Sequence, residues 1–232
     1  MGDDMSTTST KDILLDAALM HVPFDGWSDT ALAAALADTG LDATVAKAVF
    51  PRGPVDMALA YHARGDAQML AALQAADLGD MRFRDRIAHA VRLRLEAVEE
   101  KELVRRGMTL FALPPYAADG ARALWQTADH IWQALGDTSQ DVNWYTKRAT
   151  LSAVYSATVL YWLGDTSEDD AATWAFLDRR IDNVMQIESL KAKARANPAL
   201  SRLLQGPLGL LGRIRAPGQA GHAMPGRWGG RG

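Results

Sequence analysis

The chain has 232 residues, 48% of them hydrophobic, no cysteine and a formal net charge of −3. Such a length and apolar content suit a folded chain with a substantial core and exclude wholesale disorder, while the near-neutral charge offers no global attraction to nucleic acid. The lack of cysteine removes disulfides, thiolate nucleophiles and cysteine-ligated zinc, and suits a reducing compartment.

Residues 1–10 are small and polar, unlike a secretory signal or an arginine-rich transit peptide, and are expected to be disordered. Glycine and proline then divide the chain into helix-sized pieces, and no piece shows sustained period-2 alternation. A first helix is predicted over 11–21, with Ile13, Leu14, Ala17 and Ala18 on one face, ending in a turn at 22–26. Ser28 and Asp29 offer N-caps for a second helix through Thr39, closed by Gly40. A third runs over 42–50, and a fourth starts at Pro54 and reaches toward Ala76.

Beyond Gly79 the helices lengthen. Residues 82–106 carry Ile87, Val91, Leu95 and Val98 at helical spacing and read as one helix, up to the break at Pro114 and Pro115. From Ala121 to Leu135 the apolar residues follow an i, i+3, i+4, i+7 pattern that includes Trp125 and Trp132. Residues 144–163 become apolar nearly all round, as in a central helix, yet 149–163 are too few to span a bilayer. Ser167 and Asp170 resemble a capping box opening a last long helix through Trp174, Leu177, Ile181 and Met185. Residues 198–215 form a separate segment whose Leu200, Leu203, Leu204, Leu208, Leu211 and Ile214 make one stripe, and 216–232 are glycine-rich and expected to be disordered.

Four short helices followed by longer amphipathic ones resemble the layout of the tetracycline-repressor class. In that layout 11–80 form a helix-turn-helix unit and 81–197 a larger bundle for ligand binding and dimerisation. The recognition helix would be 42–49, yet Lys47 is its sole cation, and residues 31–37 before it have none. A reader of the major groove needs phosphate-seeking and base-edge side chains there, so the reading is a degenerate motif without DNA binding.

The run from Gly136 to Ala149, with Asn143, Trp144, Tyr145, Thr146, Lys147 and Arg148 at its centre, is more distinctive. With Leu151, Tyr155, Leu160, the stretch 174–181, the turn Pro23 to Trp27 and Phe50 to Pro54, it resembles the ubiquinone-biosynthesis accessory family known as Coq nine. The resemblance covers roughly residues 11 to 195. It implies an all-α repressor-like fold that has lost DNA binding and gained a lipid pocket, and a homodimer that meets the membrane through a C-terminal amphipathic helix. The implied ligand is an isoprenoid quinone intermediate or a phospholipid, and the implied partner a quinone hydroxylase docking around Trp144 and Tyr145. Beyond Asn197 the chain matches by character more than by residue.

On this reading Trp125, Trp132, Tyr155 and Tyr161 are the candidate lipid-binding residues. Trp144 and Tyr145, being adjacent, should point to different sides of a helix, and with Lys147 and Arg148 they form the candidate partner surface. The leucine stripe and Ile214 of 198–215 are the candidate membrane contact. The expected location is cytoplasmic, peripheral on the inner face of the membrane. His62, Asp66 and His89 read as solvated groups, and the charges around Arg82 to Arg86 and Glu99 to Glu102 as a solvated face. No metal motif, phosphate loop or nucleophile elbow is present, so no cofactor and no catalysis are expected. A ligand-responsive repressor of the same fold, or a dimeric interaction module without ligand, are the alternatives.

Overall fold

The computed structural model describes the backbone of residues 3–196 and the side chains of residues 10–186. Among these the chain forms ten α-helices and one 3₁₀ turn, and no strand. Helices α1 (Asp3–Leu19), α2 (Val22–Asp25), α3 (Asp29–Thr39) and α4 (Ala43–Val49) gather around Leu14, Ala18, Trp27, Ala31 and Phe50. Their ends follow local chemistry. The Ser28 hydroxyl accepts from the Ala31 N–H at 3.2 Å, Asp42 accepts from the Thr44 N–H at 2.6 Å, and Gly40 turns the chain out of α3 at φ 64°. Two expectations are corrected here. Helix α1 begins at Asp3 rather than near Lys11, and Leu15 is buried while Ile13 is 52% exposed.

Helix α5 (Pro54–Ala75) is about 33 Å long at 1.5 Å per residue and links two cores. Its Met57 and Ala58 pack with the first four helices, and its Met69 and Leu73 with the later ones. The single helix expected over 82–106 is instead two, α6 (Phe83–Glu96) and α7 (Lys101–Phe111). No glycine or proline marks the break. Leu95 belongs to the second core and Leu103 to the first, so the chain bends to bury each where it fits. The indole N–H of Trp27 donates to the Leu103 carbonyl at 3.1 Å and Arg106 to the Pro23 carbonyl at 2.9 Å, which seats α7 on α2.

Helices α8 (Ala117–Ala134), α9 (Val142–Gly164) and α10 (Ala171–Ala196) complete the bundle around Ile131, Leu151, Val159, Leu177 and Ile181. A 3₁₀ turn at Glu168–Asp170 precedes α10, and the expected capping box is not reciprocal. Ser167 Oγ accepts from the Ala172 N–H at 3.0 Å, while Asp170 accepts from Lys101 at 2.6 Å and from the Trp162 indole at 2.9 Å. Lys101 also donates to the Trp162 and Asp165 carbonyls, placing a cation at the C-terminus of α9, where the helix dipole favours one. The segment carrying Leu200, Leu203, Leu204, Leu208, Leu211 and Ile214 lies outside the described residues.

Candidate functional site

A cavity of about 400 Å³ lies between α5, α6, α7, α8 and α9. Small residues open the space: Gly107 of α7, Ala112 just after it, and Ala117, Gly120, Ala121 and Ala123 of α8. Of these, Ala112, Ala117 and Ala121 are exposed and mark the mouth, while Leu95, Leu103 and Val159 line the walls. This is the size range of ligand-binding pockets, which are mostly apolar with a few placed polar groups.

One end is polar, built by Tyr61 and His62 of α5, Arg94 of α6 and Tyr155 of α9. Tyr155 is buried against it, and the buried Tyr61 hydroxyl at the same end has no hydrogen-bond partner among the described residues. Behind it, Arg94 Nε donates to Asp66 at 2.7 Å and Nη2 donates to the His62 carbonyl at 3.0 Å. Thr127 Oγ1 lies 2.9 and 3.1 Å from the two Asp66 oxygens and 2.8 Å from His62 Nε2. Burial, reinforced by the Arg94 charge, pushes the His62 imidazole down to about 4. Burial, with the Glu99 carboxylate second, pushes Tyr61 up to about 12. Asp66, expected to be solvated, is buried, as is Arg94. A signal was present: Asp66 falls in phase with the apolar Ala58, Met69 and Leu73 of α5, and Arg94 with Ile87, Ala90 and Val91 of α6.

The expected lipid residues do not share one site. Tyr155 lines the large cavity. Trp132 lines a second one of about 270 Å³, with Phe83, Ile87, Val154, Ile181 and Met185, and its buried indole nitrogen has no hydrogen-bond partner among the described residues. Trp125 lines neither; it lies 5.8 Å from the Trp144 ring and 6.4 Å from the Tyr145 ring. Tyr161 is 39% exposed, stacks on Phe176 at 4.5 Å and lines an open surface hollow of about 560 Å³ with Gly164, Asp165 and Thr166, apart from the two apolar cavities.

Trp144 and Tyr145 do not diverge as adjacency on a helix suggested. Their rings meet edge-on at 4.8 Å, both half-buried, and with Trp125 form a surface cluster of three aromatics. Arg148, expected at the surface, is buried to 1% exposure. Its Nε donates to Asp129 at 2.5 Å, its Nη1 to Asp137 at 3.0 Å and to the Trp144 carbonyl at 3.1 Å, and the guanidinium lies 4.0 Å over the Trp144 ring. Lys147 remains half-buried, donating to Asp137 at 2.7 Å and to Ser139 at 2.6 Å. Burial opposes the Asp137 charge, but Lys147, Ser139 and Arg148 together hold the carboxyl down to about 2. The distinctive stretch is thus a clamp that closes the α8–α9 loop and backs the aromatic surface.

In α4 the exposed positions are Ala43, Thr44, Lys47 and Ala48, with the N-cap Asp42 beside them. No group of three or more His, Asp or Glu side chains among the described residues could hold a metal ion, and no described helix is long and apolar enough to cross a membrane.

Comparison with known proteins gives two likenesses. In fold, the chain is similar to a crystal structure of a TetR transcriptional regulator from Nitrosomonas europaea, with a TM-score of 0.63 at 20% identity over 75% of this chain and 97% of that one. The fold is therefore all-α and TetR-like. In sequence, residues 117–188 match the COQ9 family model. The "Ubiquinone biosynthesis protein COQ9, mitochondrial" of Drosophila melanogaster is 34% identical over 182 residues, which are 76% of this chain and 56% of that protein. Those of Xenopus tropicalis and Homo sapiens are 30% and 29% identical, over 83% and 75% of this chain and 63% and 57% of theirs. The chain thus spans less than two thirds of the length of these relatives. The aromatic cluster, its Arg148 clamp and the α8 wall of the large cavity all fall inside 117–188, and on these matches the chain belongs to the COQ9 family.

Proposed function

We propose that the chain is a lipid-binding accessory protein of ubiquinone biosynthesis, which holds a quinone intermediate and presents it to a ring-modifying hydroxylase. The observation that carries this reading is the large cavity: apolar walls for an isoprenoid tail, and one end where Tyr155 and Arg94 offer donors to ring oxygens. The role is binding rather than catalysis. The aromatic cluster of Trp125, Trp144 and Tyr145 is the docking surface for the hydroxylase, since half-buried aromatics beside paired charges suit an interface. Helix α4, with Lys47 as its cation, supports a scaffold without a DNA-reading role.

Two further parts belong to this reading. Leu160, 60% exposed, and the stacked Tyr161 and Phe176 lie on α9 and α10, the face through which the chain forms a homodimer. The stripe from Leu200 to Ile214 supplies a peripheral membrane contact through which an insoluble quinone enters and leaves.

The decisive experiment is extraction of the purified protein with organic solvent and mass spectrometry of what was bound. A quinone precursor is expected with the wild type. Ala121→Trp, which plugs the mouth from an exposed position, is expected to keep its melting temperature and lose the lipid. No bound lipid, or only bulk phospholipid unaffected by Ala121→Trp, would overturn the reading.

A further inference from the structure

We propose that the buried Asp66 carboxylate is the charge selector of the large cavity: by neutralising Arg94 it admits lipids with an uncharged, oxygen-bearing head and rejects carboxylates. This rests on the cavity being a lipid site and goes beyond it, because it assigns discrimination between lipid classes to one residue outside the cavity wall.

Arg94 is the single charged side chain among the described lining residues. A lone guanidinium on an apolar wall would be a ready seat for a carboxylate, which it can grip with two parallel hydrogen bonds. Here the seat is already taken. Arg94 and Asp66 pair at 2.7 Å with side chains only 5% and 4% exposed, and Thr127 and His130 also meet the carboxylate, at 2.9 and 3.3 Å. His62, which faces the same end, is held neutral by burial. An entering carboxylate would therefore be a second anion sharing one cation out of reach of water, which is strongly unfavourable. An uncharged carbonyl or hydroxyl meets no such penalty, and can accept from the Tyr155 hydroxyl or from a guanidinium N–H.

The backbone opposite is shaped for this pair. A Cβ at Gly65 would lie 2.4 Å from Arg94 Nη1, so the guanidinium rests where α5 has no side chain. Glycine inside a helix is unfavourable, and a buried ion pair is often no more stable than apolar residues of the same volume. Two unfavourable features placed together directly behind the Arg94 wall of the cavity point to what the cavity holds rather than to the fold.

The test uses delipidated full-length chain titrated calorimetrically with dodecanoate and with its methyl ester, which share a tail and differ in charge. The wild type is expected to prefer the ester by at least about tenfold, and Asp66→Asn to gain at least about tenfold in dodecanoate affinity while keeping the ester. Adding Arg94→Gln to Asp66→Asn should abolish that gain. If Asp66→Asn loses its melting transition, Asp66→Ser, which leaves room for water beside Arg94, takes its place. Equal binding of both compounds by the wild type, or an unchanged preference in the folded Asp66 variant, overturns the selector and leaves the lipid cavity standing. Binding of neither compound removes the cavity reading itself.

Discussion

Arg94 and Arg148 are both buried arginines on helix faces that are otherwise apolar, and both are paired with aspartate, yet they are engaged differently. Arg148 spends its donors on Asp129, Asp137 and the Trp144 carbonyl and covers the Trp144 ring as well. Arg94 has one carboxylate and one carbonyl, then open cavity on its far side. The first arrangement ties a loop to a helix. The second leaves hydrogen-bonding capacity facing a space that something else can fill. The same side chain is therefore a clamp in one place and a wall in the other, and what separates the two is how many partners the fold supplies.

That contrast can be broken first at the clamp. Arg148→Met removes the cation that Asp137 and Asp129 share, while Asp137 keeps Lys147 and Ser139. Breaking a buried pair from one side costs about 3–5 kcal/mol where a charge is left without its partner, and with Lys147 and Ser139 still on Asp137 the lower end of that range, about 3 kcal/mol, applies. A fall of that size in urea-unfolding stability is expected, with ester binding in the large cavity preserved in the folded fraction. Loss of ester binding at unchanged stability would mean that the two arginines do the same work.

At the wall, Gly65→Ala should act the other way round. The added methyl meets the guanidinium atoms at 2.4 to 2.9 Å, so Arg94 must move away from α5. Overpacking of this kind costs about 1–3 kcal/mol, less than the clamp variant, yet here the ligand should be lost. Melting and titration together check it, and normal ester binding by Gly65→Ala would show that Arg94 has room to retreat.

Much of the fold was legible because its boundaries are local. Ser28, Gly40, Asp42 and Pro54 set helix ends through bonds or torsions that involve a few neighbouring residues. The break between α6 and α7 was not legible, since its cause is the assignment of Leu95 and Leu103 to different cores. The buried polar groups were hidden for another reason. In the sequence Asp66 read as a solvated group and Arg148 as part of a surface, and nothing singled out Arg94, although each lies in helical phase with apolar residues, and a charge in that phase needs a partner from another helix. The partners, at separations of 28 residues for Asp66 and Arg94 and of 11 and 19 for Arg148, carry no local signature. The aromatics were visible as residues but not as neighbours. Trp125 and Trp132 sit on one helix, yet one joins the surface cluster and the other a cavity, because α9 divides them differently.

The mildest way to sharpen the comparison is acid, which acts on the clamp without changing its residues. Asp137 is held down to about 2, below the ordinary value of 3.8, so the folded state binds its proton more weakly than the unfolded chain does. A carboxyl depressed in this way contributes stability that is fully present above the unfolded value and is lost as pH falls from about 4 through 2. The shift corresponds to about 2 kcal/mol, and Asp137→Asn removes that pH dependence along with the charge. Unfolding free energy measured from pH 5 to pH 2 should therefore fall more steeply in the wild type than in Asp137→Asn, the gap closing toward the acid end. Parallel curves would mean that Lys147 and Arg148 stabilise the neutral carboxyl as well as the ionised one, and the clamp would then be a matter of packing rather than of charge.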